Sequence, residues 1–185
     1  MWPWDHLAVG YLSYFLLTRV TPLERSTAAT AVAGAVGTQF PDLVDKPLGW
    51  WLDVFPAGTG VAHSLLVAVP LCLVGLLVGW RLGRREVAAA FAVGYLSHLP
   101  GDVLYPVALG GERKMWILLW PLTSAPGPGT SRPLSHVLEL VVDFLAFLAT
   151  PRGLTYLALE VLLLGCAALA WYSDGCPGYG RPTGT

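Results

Sequence analysis

The sequence predicts an all-α protein, a polytopic membrane helical bundle of about five or six helices with a metal site at one membrane face. Composition carries the first part of this prediction: of 185 residues, 55% are apolar and only 12% are charged, about half the charge of a typical soluble domain. The clearest single element is the stretch 61–80, which contains no charged residue. A membrane-spanning helix needs about 20 such residues.

The composition also excludes several classes of protein. A net charge of −1 provides no basic surface, so we expect no nucleic-acid partner. The apolar content excludes an intrinsically disordered chain and a coiled coil. The 3 cysteines are scattered and form neither a disulfide framework nor a C-x-x-C motif. The partner that the composition predicts is therefore the lipid bilayer.

Proline and charge divide the apolar sequence into helices. Pro41 is expected to end the second helix and Pro100 the fourth, because proline cannot continue the hydrogen bonding of a helix. The short apolar piece 115–122 cannot span a bilayer and is expected to be interfacial or re-entrant. The predicted helices, in chain order, cover residues 7–20, 27–40, 61–80, 87–99, 134–149 and 154–172.

We expect one membrane-embedded domain, residues 1–172, followed by a flexible tail, residues 173–185, which is rich in glycine and proline. A long polar loop is expected between the second and third helices. It contains Asp42, Asp45, Lys46 and Asp53.

The basic residues are unevenly distributed over the predicted connections. Short cytoplasmic loops carry the excess of Lys and Arg in membrane proteins. The side with the tight, arginine-rich connections is therefore expected to be cytoplasmic, and the chain to be a multi-pass protein of the cell membrane. Six crossings would place both termini on the extracytoplasmic side. The arginines of the tight connections are Arg19, Arg25, Arg81, Arg84, Arg85 and Arg152.

All 4 histidines fall on the extracytoplasmic side of this topology, together with two aspartates. Neutral imidazole and carboxylate are usual zinc ligands. Five or six ligands are more than one tetrahedral zinc ion binds. Two metal ions bridged by a carboxylate would use this number of ligands, and such a site favours phosphoester hydrolysis. The predicted metal ligands are His6, Asp42, His63, His98, Asp102 and His136.

Two points about these residues stay open. The i, i+4 spacing would put His98 and Asp102 on one helical face, but Pro100 and Gly101 stand between them. A histidine at a helix end is often an interfacial polar residue, and an aspartate there is often a helix cap. The placement of every histidine on one side favours the metal site over these alternatives.

The fifth helix carries further polar residues at membrane depth. His136, Glu139 and Asp143 lie at i, i+3 and i+7, on one helical face. Ionisable residues at this depth usually line a bundle interior or a wet cavity. Glu139 is then a further ligand, a residue that orients a histidine, or a general base; alternatively, these acids pair with arginine or with helix backbone. Glu160 in the sixth helix is expected nearer the cytoplasmic end, paired with an arginine.

The order of these motifs resembles a known family, the membrane-bound metal-dependent hydrolases or YdjM-like proteins, over about residues 1–105. In its motif order that family is similar to zinc-dependent phospholipase C and the single-strand zinc nucleases, helical enzymes that bind several zinc ions. The motifs that carry the resemblance are His6 before an apolar helix, Pro41-Asp42 after a helix of small residues, Ala62-His63-Ser64, and Gly94-Tyr95-Leu96-Ser97-His98 with Asp102.

The resemblance implies a set of metal ligands in which Asp102 bridges two metals. It also implies a later histidine–acid pair, which His136 and Glu139 resemble at a spacing of i, i+3 in place of i, i+4. The implied ligands are His6, Asp42, His63, His98 and Asp102.

The sequence leaves three functions open. A metal-dependent hydrolase would cleave phosphoester bonds of a small molecule, a lipid or a lipid-linked phosphate with a water activated by one to three divalent ions, expected to be zinc. Its predicted catalytic residues are Asp102 and Glu139, with Glu139 or Asp42 orienting the water. A transporter would instead use Glu139, Asp143 and Glu160 along a pathway. A non-catalytic membrane protein would hold a structural or degenerate metal site.

Overall fold

The computed structural model describes residues 1–55, 58–123 and 133–179, and these residues form helices and connections without a β-strand. The all-α prediction is therefore confirmed for the described part of the chain. A short 3₁₀ helix, Met115–Leu119, lies within the stretch that was expected to be interfacial. The six α-helices are α1 (Pro3–Val20), α2 (Ala28–Trp50), α3 (Leu65–Arg81), α4 (Arg85–Ala108), α5 (Pro133–Leu148) and α6 (Pro151–Ser173).

Two helices run further than their prolines predict. α2 continues through Pro41 and Pro47 to Trp50, and α4 continues through Pro100 and Pro106. The predicted ends at Pro41 and Pro100 are therefore wrong, and the first part of the expected polar loop is helical. A proline inside a helix removes one backbone hydrogen bond, but packing between helices can offset that loss.

The packing that offsets it is a close contact between α2 and α4 at glycines. A Cβ atom on Gly94 would lie 2.3 Å from the carbonyl oxygen of Gly34, and one on Gly37 would lie 2.3 Å from that of Phe91. Small residues let two helix backbones approach in this way. α4 also packs on α1 and α3, so α4 is the central helix, with Tyr95 and Leu99 fully buried.

α3 begins later than predicted, at Leu65 rather than at residue 61. Ser64 is its N-cap, and the Ser64 hydroxyl accepts a hydrogen bond from the Leu66 amide. An N-cap of this kind satisfies a backbone donor that the first turn leaves free. His63 consequently belongs to the buried connection that leads into α3.

Two of the described helices are long and apolar enough to cross a membrane, Arg85–Val107 and Pro151–Ser173. The shorter α3 is apolar as well, and most of its leucine and valine side chains are exposed. Exposed apolar side chains in such numbers are typical of a surface that contacts lipid.

The two ends of the bundle differ in their polar residues. We call the end that holds His6, His63 and His98 the histidine end. The opposite end, which holds the α1–α2 and α3–α4 connections, is the arginine end; its arginines are Arg19, Arg25, Arg81, Arg84 and Arg85.

α6 runs parallel to α1, which corrects the expected topology. At the histidine end Glu160 accepts a hydrogen bond from the Trp4 indole, and at the arginine end Asp174 accepts one from Arg19. The prediction that Glu160 pairs with an arginine near the cytoplasmic end is therefore wrong. α6 ends beside Arg19, so the N-terminus of α1 and the C-terminus of α6 lie at opposite ends of the bundle.

The same orientation moves one arginine of the predicted cytoplasmic set. Arg152 lies in the first turn of α6, and its Nη1 would be 3.2 Å from a Cβ atom on Gly110, which follows α4. Arg152 therefore lies at the histidine end. Hydropathy gives the length of a helix but not its direction, so the sequence could not reveal this placement.

Candidate metal centre

Four predicted ligands meet at the histidine end of the bundle. One ligand atom from each of Asp42, His63, His98 and Asp102 lies within 4.8 Å of every other. His63 and His98 are fully buried, Asp42 is nearly so, and the Asp102 side chain is 16% exposed. Within the described residues this is the group whose composition and spacing suit a metal ion.

The continuation of α2 and α4 through their prolines brings the four side chains together. In unbroken α4, His98 and Asp102 stand one turn apart on the same face, with His98 Nε2 at 3.4 Å from Asp102 Oδ2. α2 places Asp42 opposite them. The Tyr95 hydroxyl donates to the Ala62 carbonyl at 2.7 Å and thereby holds the segment that carries His63.

The backbone of α2 determines which nitrogen of His98 faces the centre. His98 Nδ1 lies 2.6 Å from the Thr38 carbonyl oxygen. Because a carbonyl only accepts hydrogen bonds, Nδ1 carries the proton, and the lone pair of a neutral His98 is on Nε2. Thr38 lies three residues before Pro41, in the turn where the proline weakens the helical hydrogen bonding.

Asp45 determines which nitrogen of His63 faces the centre. Its Oδ2 lies 2.7 Å from His63 Nδ1 and also accepts hydrogen bonds from the amides of Gly60, Ala62 and His63. Burial raises the pKa of Asp45, but the hydrogen bonds from His63, Ala62 and Gly60 outweigh it and hold that pKa below its ordinary value. Asp45 is thus a carboxylate that fixes the His63 proton on Nδ1 and turns Nε2 toward the centre.

Five of the six distances among the four atoms are close to the edges of a tetrahedron around a small ion. Bonds of about 2.0–2.1 Å, as zinc makes to nitrogen and oxygen, give tetrahedral edges of about 3.3–3.4 Å. The two histidine Nε2 atoms are 3.2 Å apart, and they lie 3.3 and 3.4 Å from Asp102 Oδ2. Asp42 Oδ1 lies 3.6 and 3.8 Å from the same two nitrogens.

The buried carboxylates of the centre favour the binding of a positive charge. Asp42 Oδ1 is buried and has no hydrogen-bond partner within the described chain, which is costly for a carboxylate. Burial lowers the pKa of His63, yet its hydrogen bonds with Asp102 and Asp45 raise that pKa to about 9. In the metal-free protein a proton on His63 partly supplies the charge that a cation would supply in full.

His6 lies beside this group on the other oxygen of Asp102. His6 Nε2 is 3.1 Å from Asp102 Oδ1, and the His6 ring stacks on His98 with centroids 3.7 Å apart. The α-amino group of Met1 approaches the same oxygen at 2.6 Å. Gly101 permits this approach, since a Cβ there would lie 2.5 Å from the Met1 sulfur. Asp102 therefore presents one oxygen to His63 and His98 and the other to His6.

The remaining predicted site residues do not join the four. The side chain of His136 lies outside the described part of the structure. Glu139 and Asp143 are exposed on α5, so Glu139 as a catalytic residue stays a prediction. Sequence reasoning overlooked Asp45, whose signal was its position three residues after Asp42; that signal becomes readable only once α2 is known to continue past Pro41.

The fold and the site define a class: an all-helical protein with two potential membrane spans and a buried group of histidines and aspartates that could hold a metal ion. The chain belongs to the YdjM inner membrane protein family, whose sequence model matches residues 1–175. The match extends beyond the resemblance noted over residues 1–105 and includes α5 and α6. No curated protein and no solved structure matches the chain.

Proposed function

We propose that the protein is a membrane-bound metal-dependent hydrolase that cleaves phosphoester bonds. One observation carries the proposal: two buried histidines, each with its Nδ1 held by a fixed acceptor, direct their Nε2 atoms at two carboxylates at distances of 3.3–3.8 Å. Histidine and carboxylate ligands oriented by further hydrogen bonds are typical of zinc sites. Zinc is therefore the ion we propose.

The chain's own residues suit such chemistry. A divalent ion held by the four residues would supply a water with a pKa near neutrality and a Lewis acid for the phosphoryl group. Asp102, with one oxygen toward His63 and the other toward His6, is suited to bridge two ions, and we propose one to three ions in all. Asp42 has a buried oxygen without a partner and is a candidate to orient the water; Glu139 is the other candidate.

The substrate is proposed to be a lipid, a lipid-linked phosphate or a small phosphoester that reaches the histidine end at the membrane surface. We further propose a multi-pass topology with the histidine end extracytoplasmic. The support is that five arginines lie in the two connections at the opposite end or in the helix turns beside them. Arg152 at the histidine end reduces this asymmetry, and a reporter fused to the C-terminus tests the orientation.

A second function, a non-catalytic protein with a structural metal, is favoured by one specific observation. The group offers four protein ligand atoms, as many as a tetrahedral zinc binds, and structural zinc sites are closed in this way, whereas catalytic sites keep one position for water. The two functions differ in what the region around His6 and Asp102 Oδ1 does. A hydrolase would bind a further ion or a water there, and a structural site would not.

Metal analysis of the purified protein tests whether the metal site exists, as both proposed functions require. We expect bound zinc in the wild type, its loss in His98→Ala and Asp102→Asn, and its retention in Asp143→Asn, which changes an exposed acid outside the group. A wild type without metal would refute both functions. Metal without turnover of phosphodiesters or phospholipids in a substrate screen would refute the hydrolase and support the structural site.

A further inference from the structure

A partly exposed lysine lies beside the candidate metal centre and contacts one of its carboxylates. Lys46 Nζ forms an ion pair with Asp42 Oδ2, and its side chain is 34% exposed. Its ammonium group also lies 5.6 Å from the centroid of the Trp50 ring, within the range of a cation–π contact. Lys46 is thus held between a carboxylate of the centre and an aromatic ring, with access to solvent.

Solvent reaches the group at its less buried members. The two histidine side chains of the group are fully buried, whereas Asp102 is 16% exposed and Lys46, on Asp42, is 34% exposed. A ligand that approaches Asp42 from solvent consequently comes within reach of the Lys46 ammonium.

The two oxygens of Asp42 face different charges. Oδ1 points toward His63 and His98, at 3.6 and 3.8 Å from their Nε2 atoms, and Oδ2 pairs with Lys46. A cation bound by Oδ1 would draw on the same negative charge that now holds Lys46. A cation held by Oδ1 would therefore weaken the hold of Asp42 on the ammonium and leave it available to a second anion.

The ammonium of Lys46 gives the centre a positive charge that suits an anionic ligand. Asp42, Asp45 and Asp102 are three carboxylates, and the α-amino group of Met1 pairs with Asp102, so these groups together with one divalent ion would have a net charge of zero. Lys46 raises that net charge to +1, which attracts a phosphate, and the hydrogen-bond donors of its ammonium that Asp42 does not use can face the entering group.

We propose that Lys46 binds the anionic phosphate group of the substrate beside the metal. This inference rests on the proposed hydrolase function and narrows its substrate to a phosphate that keeps a free anionic oxygen. Lysine suits the role because its ammonium is a point charge that binds phosphate without the planar geometry that arginine requires.

The test measures binding of inorganic phosphate to the zinc-loaded, detergent-solubilised full chain by isothermal titration. Lys46→Met removes the charge at nearly constant length, and Lys46→Arg restores it. Lys114→Met is the matched control: it is the chain's other lysine, it is exposed, and it changes the net charge equally. Zinc affinity is measured separately for every variant.

We expect Lys46→Met to weaken phosphate binding by about 10- to 100-fold, the range for a hydrogen bond to a charged group. Lys46→Arg should recover most of the affinity, and Lys114→Met should match the wild type. Zinc affinity should be unchanged or higher in Lys46→Met. Equal phosphate affinity in Lys46→Met and the wild type, with zinc bound in both, would overturn the inference and leave the metal centre intact. A wild type that binds no zinc would overturn the proposed function and this inference together.

A measurement on the wild type alone avoids any effect of the substitutions on folding. Phosphate should protect Lys46, but not Lys114, from reductive methylation in the zinc-loaded protein; equal labelling of both would contradict the inference. Vesicles containing phosphatidic acid, compared with vesicles of phosphatidylcholine, identify the source of the phosphate. Protection of Lys46 by phosphatidic acid indicates a lipid headgroup, and protection by inorganic phosphate alone indicates a soluble substrate.

Discussion

The orientation of His63 by Asp45 leads to a measurable effect on metal affinity. Asp45→Asn keeps the size of the side chain but removes its charge. Asp45 Oδ2 accepts the short hydrogen bonds from His63 Nδ1 and the Gly60 amide, both at 2.7 Å, and Oδ1 accepts one from the Ala62 amide at 3.0 Å. An asparagine that keeps its oxygen at the Oδ2 position would direct its amide group at the Ala62 amide, so two donors would face each other.

The expected size of the effect follows from this geometry. The hydrogen bond to His63 changes from a charged to a neutral acceptor, and the Ala62 amide loses one of its two acceptor oxygens. Loss of a group that orients a metal ligand costs about 10- to 100-fold in affinity, which corresponds to about 1.4–2.7 kcal/mol. We therefore expect Asp45→Asn to bind zinc about 10- to 100-fold more weakly than the wild type.

The assay is a competition between the protein and a chromophoric chelator for zinc, with helix content monitored by circular dichroism. Asp53→Asn is a matched control, since Asp53 is exposed in the connection after α2 and has a φ of 52° that asparagine tolerates. It should bind zinc like the wild type. If Asp45→Asn also binds zinc with wild-type affinity, then Asp45 does not orient His63, and our reasoning about the centre fails.

Three further predictions concern protonation, packing and topology. The pKa of His63 is raised from its ordinary 6.5 to about 9 in the metal-free protein, so the contribution of His63 to folding stability is complete below about pH 6.5 and is lost as the pH rises toward 9. Zinc affinity should rise over the same pH interval, because zinc displaces this proton. Calorimetry in buffers of different ionisation enthalpy should detect the released proton. Gly94→Leu should lower the free energy of unfolding by at least about 1–3 kcal/mol, and with it the melting temperature, because a Cβ at this position already meets the Gly34 carbonyl. Gly75→Ala is the control and should leave the melting temperature unchanged, since no atom lies within 4 Å of its Cβ. Equal melting temperatures of the two variants would contradict the proposed packing. A reporter fused after Thr185 should give a cytoplasmic signal if the histidine end is extracytoplasmic, and a periplasmic signal would reverse the proposed orientation.

The sequence was sufficient to predict the helical class and the four ligands of the candidate centre. Asp42, His63, His98 and Asp102 could be found because polar residues are rare in this chain and their motifs occur in a recognisable order. The spatial arrangement of these four side chains could not be predicted from the motifs. Proline is a local signal for the end of a helix, whereas α2 and α4 pack together at glycine backbones that lie far apart in the sequence, and no local signal reports such packing.

Hydropathy could not predict the direction of α6. Counting six crossings assigned Arg152 and Glu160 to the wrong end, because the count treated every apolar segment as a span. The contacts Trp4–Glu160 and Arg19–Asp174 fix α6 parallel to α1. Such pairs join residues more than 150 positions apart, and no periodicity in a single sequence reports them.

The ligand set also has a consequence for how long the folded chain survives in a cell. An ion held by Asp42 and Asp102 would join α2 to α4 as a cross-link between distant parts of the chain, and anything that binds only the folded state stabilises it by mass action. Chelation or metal shortage would then raise the population of partly opened chains, which proteases degrade. The abundance of the protein in the membrane would in that way follow the supply of the ion.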